Sequence, residues 1–121
     1  IIYNAIELTS KEIKYRKVGE FGVFDNQRAT PLALIITELI HNAIEHGLEV
    51  QGDELIVEIV RTPELTSVKV IDNGVGLPVG FNIDSSSNLG LQIVKTLTEN
   101  ELKGNISITA KDGKTEAALR F

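Results

Sequence analysis

Residues 37–47 read TELIHNAIEHG, and how this stretch is understood decides the fold. It sits at the end of the most apolar segment of the chain, yet it carries Glu38, Asn42 and His46 at intervals of four. Four residues advance an α-helix by about 400°, so these three side chains drift by only about 40° per step and share one stripe. Leu32, Ile35, Ile36, Leu39, Ile40, Ala43 and Ile44 fill the neighbouring arc. The polar stripe therefore lies beside the core and is expected to border a cleft. A solvated helix face accounts for the same three residues equally well when they are taken alone. Asn is a poor choice inside a helix, which weighs against that bland reading. Working back from the stripe, Asp25 and Thr30 are cap candidates and Pro31 fits a first helical position, while Gly47 fits a stop.

The rest of the chain is read around this helix. The segments IIYNAIELTS and EIKYRKVGEFGVF are extended or partly so, although Ile2, Ile6 and Ile13 also fit a helical spacing. ELIVEIVR and TSVKVI, joined by TPEL, predict an antiparallel hairpin over residues 54–71. A long stretch rich in Gly, Ser, Asn and Asp, DNGVGLPVGFNIDSSSNLG, predicts a functional loop. A second helix begins near Leu89 and ends by Gly104, with Leu91, Val94, Leu97 and Thr98 on one side. NISITA and TEAALRF flank KDGK, and Asp-Gly between extended runs is a strong hairpin signal. Helices and antiparallel hairpins in this order predict an α+β, two-layer α/β sandwich with helices on one face of a mixed, mainly antiparallel sheet.

Bulk properties narrow the function. A chain of 121 residues with 42% hydrophobic content closes one core, so residues 1–121 are read as a single domain. Opening on Ile1, it is expected to be a fragment of a longer protein, and nothing in the first twenty residues looks like a signal peptide. Even Pro31 to Ile44 is interrupted by Thr37, Glu38, His41 and Asn42, so no run spans a bilayer; a soluble, cytoplasmic domain without direct membrane contact is expected. With no cysteine, disulfides and thiolate metal sites are excluded, and two histidines leave little for a zinc centre. The net charge of −5 and the lack of a Lys/Arg cluster argue against a nucleic-acid partner. An acidic domain that takes an anionic ligand must hold it with backbone N–H groups or a divalent cation.

Two further motifs join the helix. VIDNGVGLP delivers Asp72 at a strand end, after which Gly74 and Gly76 permit positive φ or a close backbone approach. An Asx turn has the same composition, but a buried Asp must accept hydrogen bonds to offset its desolvation. SSSNLGLQIV places Gly90 at a helix start, where free N–H groups and the dipole favour an anion; a capped helix after a loop is the plainer reading. Two better-known phosphate motifs fail. The third glycine of a dinucleotide fingerprint falls on Val79, and the first glycine of a Walker loop ending at Gly113-Lys114-Thr115 falls on Ile108.

Taken in order, TELIHNAIEHG, DNGVGLP, NLGLQIV and DGKT resemble the N, G1, G2 and G3 boxes of the GHKL ATPase superfamily over about residues 25–121. The wording ATPLALIITELIHNAIEHG is most similar to the ATP-binding catalytic domain of bacterial sensor histidine kinases. The resemblance implies a Bergerat fold that binds ATP with Mg²⁺. It implies Asn42 as the Mg²⁺ ligand, Asp72 as acceptor of the adenine amino group, and Gly74 and Gly76 beneath the base. Gly90, flanked by Leu89 and Leu91, would let the lid and helix start approach the phosphates, with Thr115 near the adenine. Glu38 would orient or deprotonate the nucleophile, and His46 would contact phosphate or ribose. Where histidine kinases often carry three glycines in the G2 box, Ser86 and Asn88 stand in the first two positions; Asn88 is expected to substitute through a left-handed backbone. Phe81 is expected to supply the packing of a short lid.

The implied reaction is transfer of the ATP γ-phosphoryl group to a histidine of a dimerisation and phosphoacceptor domain, with a response regulator as indirect partner. Both histidines lie in the N-box helix, so the acceptor is expected outside this chain, which should bind MgATP as a monomer without phosphorylating itself. A serine kinase of the anti-sigma-factor type and a non-catalytic nucleotide-sensing module share these boxes and stay open as alternatives.

Overall fold

The computed structural model describes residues 12–86 and 88–121. The elements are β1 (Lys14–Val18), α1 (Asn26–Ala43), β2 (Glu54–Arg61), β3 (Thr66–Asp72), α2 (Leu89–Asn100), β4 (Asn105–Lys111) and β5 (Lys114–Arg120). They build a five-stranded sheet in the order β1-β2-β3-β5-β4. β1 runs parallel to β2 and the other pairings are antiparallel. The expected two-layer α+β arrangement is what forms. Of the expected extended N-terminal region, IIYNAIELTS lies outside the described residues, and EIKYRKVGEFGVF contributes β1.

α1 starts where its first turn is capped. The Asp25 side chain is extended in backbone and accepts from the Arg28 N–H at 3.0 Å, satisfying one of the orphan donors of the helix start. Pro31, expected at the first helical position, lies instead inside the helix. There it forfeits only the bond to the carbonyl of Gln27, an exposed residue, while its ring is buried. Leu32, Ile35, Ile36, Leu39, Ile40 and Ala43 form the inward arc foreseen from the spacing. Gly47 does not stop the helix. α1 runs on through a turn of π-helix, Ile44–Leu48, in which Glu49 N–H reaches the Ile44 carbonyl at 2.8 Å. The wider turn sends Leu48 fully into the core and re-aims the residues before it, as π turns at functional positions do.

Period-two alternation sets the sheet face. Thr66, Val68, Val70 and Asp72 of β3 are buried, and beside them lie Leu55, Val57 and Ile59 of β2 and Ala117 and Leu119 of β5. Leu91 and Val94 of α2 complete the same cluster with α1, so both helices cover one face. On the opposite face Lys69 pairs with Glu116 at 3.7 Å and Lys114 with Glu54 at 3.6 Å. The β4-β5 turn places Asp112 and Gly113 at φ of 53° and 75°, the paired positive values of a tight hairpin turn. Among the described residues no helix is long and apolar enough to cross a membrane.

Leu48 is 0% exposed and Leu34, on the same helical segment, is 53% exposed. Leu48→Ala should lower unfolding stability by about 3 kcal/mol, and Leu34→Ala by no more than about 0.5 kcal/mol. Urea denaturation of the two variants checks this. Equal losses would mean that the π turn does not anchor the helix end.

Candidate functional site

A cavity of about 500 Å³ opens between the C-terminal half of α1, the ends of β3 and β5, and the loop that follows β3. Its sheet side carries Val70 and Asp72 of β3 and Thr115 and Ala117 of β5. Register explains that grouping: Asp72 is the direct cross-strand partner of Thr115 on one side and of Leu55 on the other. α1 and its π turn present Asn42 and His46. Val75, Leu77, Pro78 and Phe81 give the loop side an apolar lining, and Asn88 and Leu91 close the end towards α2. Apolar walls with a few convergent polar groups are the usual make-up of a small-molecule site.

Asp72 is only 5% exposed. Burial pushes its carboxyl above the ordinary range, and the Gly74 N–H, which donates to Oδ1 at 2.9 Å, partly opposes that rise. A carboxylate accepts about four hydrogen bonds, so this single bond leaves capacity for a donor in the cavity. Two glycines make the arrangement possible. A Cβ on Gly74 would fall 2.4 Å from the Gly47 carbonyl carbon and 2.8 Å from Asp72 Oδ1, and one on Gly47 would fall 2.8 Å from the same oxygen. Gly76 is needed for its φ of +87°, with no atom crowding it. Asn73 faces the other way: its Oδ1 accepts from Asp53 N–H at 3.0 Å and Glu54 N–H at 2.8 Å, tying the loop to the start of β2.

Asn88 is not left-handed. At φ −69° and ψ 114° it caps α2, its Oδ1 accepting from Leu91 N–H at 3.1 Å. An N-cap residue is held extended by the helix start itself, and that requirement overrides the tolerance of Asn for positive φ. Asn88 Nδ2 donates to Asn42 Oδ1 at 3.2 Å, while Asn42 Nδ2 is buried without a partner. One turn earlier on α1, the Glu38 carboxylate lies against Gly90, where a Cβ would come within 2.5 Å of Oε2. That glycine lets an anion meet the positive end of α2. The loop is fastened to α2 by Gln92, whose Nε2 donates to the carbonyls of Ser86 at 2.8 Å and Ile83 at 3.2 Å. Lys95 adds an ion pair to Asp84 at 2.5 Å, and that hydrogen bond raises the Lys95 ammonium above its ordinary range.

Of the residues singled out in the sequence, Asn42, His46, Asp72, Gly76, Leu91 and Thr115 line one cavity. Gly74 stands behind Asp72, Glu38 and Gly90 meet each other beside the cavity, and Leu89 is 74% exposed at the helix start. Sequence reasoning missed Gly47 as a packing partner and Val75, Leu77 and Pro78 as wall; for these last three, apolar residues directly after DNG were the available signal. Among the described residues no group of three or more His, Cys, Asp or Glu side chains is arranged to hold a metal. A single neutral oxygen such as Asn42 Oδ1 suits Mg²⁺, which keeps several waters and completes its shell with substrate phosphates.

The raised Asp72 carboxyl makes a directional claim about stability. Its favourable contribution is fully present when the group is protonated in folded and unfolded states alike, and is lost as pH rises through the raised folded value. Asp72→Asn should therefore unfold at higher urea than the parent chain at pH 7. The gap should close below about pH 4, where the parent carboxyl is neutral too. A variant less stable at pH 7 would show that the carboxylate is stabilised where it lies.

Comparison with known proteins agrees with this geometry. A profile of the family described as histidine kinase-, DNA gyrase B- and HSP90-like ATPase matches residues 27–121. The sensor histidine kinase PdtaS of Mycobacterium tuberculosis is 39% identical over 122 residues, covering 98% of this chain and 24% of that protein. The chain thus spans about a quarter of the length of that relative. Among solved structures, the histidine kinase domain of the Erythrobacter litoralis blue-light activated histidine kinase superposes with a TM-score of 0.87 at 20% identity, over 99% of this chain and 56% of that one. The ATP-binding domain of PrrB from Mycobacterium tuberculosis gives 0.78 at 20% identity, over 99% and 86%. With the profile covering most of its length and the sheet, helices and loop in the matching order, the chain belongs to the histidine kinase-, DNA gyrase B- and HSP90-like ATPase family.

Proposed function

We propose that this domain binds MgATP in the cavity and serves as the catalytic half of a sensor histidine kinase, donating the γ-phosphoryl group to a histidine on a dimerisation and phosphoacceptor domain. The observation that carries the reading is the meeting of Asp72, Thr115 and Asn42, from three separate elements, in one apolar-walled cavity. Asp72 accepts the exocyclic amino group of adenine, and guanine, which presents a carbonyl oxygen there, sets acceptor against acceptor. Thr115, its cross-strand partner, lies beside the base. Asn42, one helical turn from His46, faces the phosphates, and His46 contacts phosphate or ribose. Asn42 would hold Mg²⁺, which when bound would neutralise charge on the phosphate oxygens.

Transfer itself consists of positioning. An imidazole nitrogen of the acceptor forms a bond to the γ-phosphorus as the bond from that phosphorus to the β-γ bridging oxygen breaks, and ADP leaves with the electron pair. Glu38, on the same stripe as Asn42, orients the attacking imidazole and takes up the proton it releases. His41 and His46 both belong to α1 and its π turn, the helical elements of the chain that takes the nucleotide in this reading, and neither serves as acceptor. A response regulator is the downstream partner in this reading.

Calorimetric titration of ATP with and without Mg²⁺, with GTP as control, tests the binding step. Saturable, adenine-selective binding strengthened by Mg²⁺ is expected, and Asp72→Asn should weaken it at least tenfold, the equivalent of about 1.4 kcal/mol. Failure to bind at millimolar ATP would remove the proposal. Incubation with γ-labelled ATP should leave no acid-labile phosphohistidine on the chain; its appearance would make His41 or His46 an acceptor and overturn the division of labour.

A further inference from the structure

Asn88 stands between two groups that cannot exchange roles. The Leu91 N–H can only donate, and it donates to Asn88 Oδ1 at 3.1 Å. That bond fixes which way the Asn88 carboxamide points, so its Nδ2 is left facing Asn42, at 3.2 Å from Oδ1. An NH₂ group can only be met by an acceptor, so Asn42 must turn its oxygen towards α2 and its own Nδ2 away. The turned-away Nδ2 is buried without a partner. Turning the Asn42 carboxamide over would set its Nδ2 against Asn88 Nδ2, donor against donor, so the Asn88 amide holds the observed orientation.

We infer that Asn88 is a positioning residue for Asn42: a backbone N–H of α2 sets the Asn88 amide, and the Asn88 amide sets the oxygen of Asn42. This rests on the MgATP reading of the cavity, in which the Asn42 oxygen is the cation ligand. The Asn42 oxygen has two lone pairs, of which Asn88 takes one and leaves the other for the cation. Partners of this kind, one bond removed from a metal, typically govern affinity by tenfold or more. The side chain therefore does more at position 88 than glycine could, because glycine has no side chain to accept from Leu91 N–H or to reach Asn42. The Asn88 N–H itself donates to Ser86 Oγ at 3.1 Å, so the loop residue two places earlier holds the clamp in turn.

Asn88→Ser separates the two halves of the role, since Ser caps a helix about as well as Asn but is too short to reach Asn42. In the ligand-free chain, ¹H–¹⁵N spectra should show the Asn42 side-chain amide pair, identified by its loss in Asn42→Ala, displaced in Asn88→Ser. Hydrogen-exchange protection of the α2 backbone should be unchanged. Affinity for MgATP should fall about tenfold while affinity for adenosine stays at the parental value. Parental or tighter MgATP binding would overturn the proposal. So would a parallel loss of adenosine affinity, which would mark Asn88 as part of the loop scaffold alone. Should the parent chain bind neither ligand, the nucleotide reading fails, and the ligand-free spectra still decide whether Asn88 orients Asn42.

Discussion

The Asp72 carboxylate, buried at the end of a central strand, is the constraint to which the neighbouring structure conforms. A charged group taken from water must find donors or lose its charge, and here one donor comes from the Gly74 N–H two residues on. For that N–H to reach back, the chain must turn sharply, and the turn brings Gly74 against Gly47. Any side chain at either glycine would strike the other backbone or the carboxylate itself. The π turn at the end of α1 follows from the same contact. An uninterrupted α-helix would carry its residues past the strand end at a different angle, whereas the wider turn sets Gly47 down on Gly74 and buries Leu48. A cavity with an under-satisfied acceptor in its wall is what remains.

Much of this was legible in the sequence where a single periodicity governed. β2 and β3 follow ELIVEIVR and TSVKVI, and the hairpin turn sits on Asp112-Gly113, because alternation and turn chemistry act within a few residues. The stripe of Glu38, Asn42 and His46 does border the cavity at its last two members. What was not legible depends on contacts between distant segments. Gly47 reads as a helix stop until Gly74 is placed beside it; Pro31, by contrast, turns on a local choice, since of the two cap candidates the helix uses Asp25 and so starts at Asn26. Asn88 departs from its local reading because its tolerance of positive φ matters less than the helix it caps and the amide it meets across the cavity.

The electrostatic setting is less hostile to an anion than a net charge of −5 implies. Asp72 is the acid in the wall of the cavity, at its sheet end. At the α2 end the wall offers the uncharged side chains of Asn42, Ser86 and Asn88. Glu38 is drawn aside to Gly90 at the positive end of α2, where the dipole favours it. With Asp72 at the sheet end and Glu38 drawn to the helix start, the wall between the two carboxylates is uncharged there.

The segment between β3 and α2 is joined to the rest by bonds of a different kind from those in the core. Beyond the Asn73 and Gly74 ties at its start, its fastenings are polar and lie at the surface or partly so: Gln92 to Ser86 and Ile83, Lys95 to Asp84, and Asn88 to Asn42. Phe81 and Ile83 pack only partly buried against the core cluster, and Val79 is fully exposed. Opening such a segment exposes little apolar area and exchanges its hydrogen bonds for water at small net cost, whereas moving α1 would strip Ile35, Ile40 and Leu48 from the sheet. The loop wall of the cavity therefore rests on weaker fastenings than the sheet wall that carries Asp72 and Thr115. Since Gln92 and Lys95 both project from α2, the loop is tethered along that helix at two points about one turn apart. Its two ends are Gly74, packed on Gly47, and the Asn88 cap of α2. The Asn88 end is also the one that meets Asn42, so the loop and α1 are joined there through a hydrogen bond in the wall of the cavity.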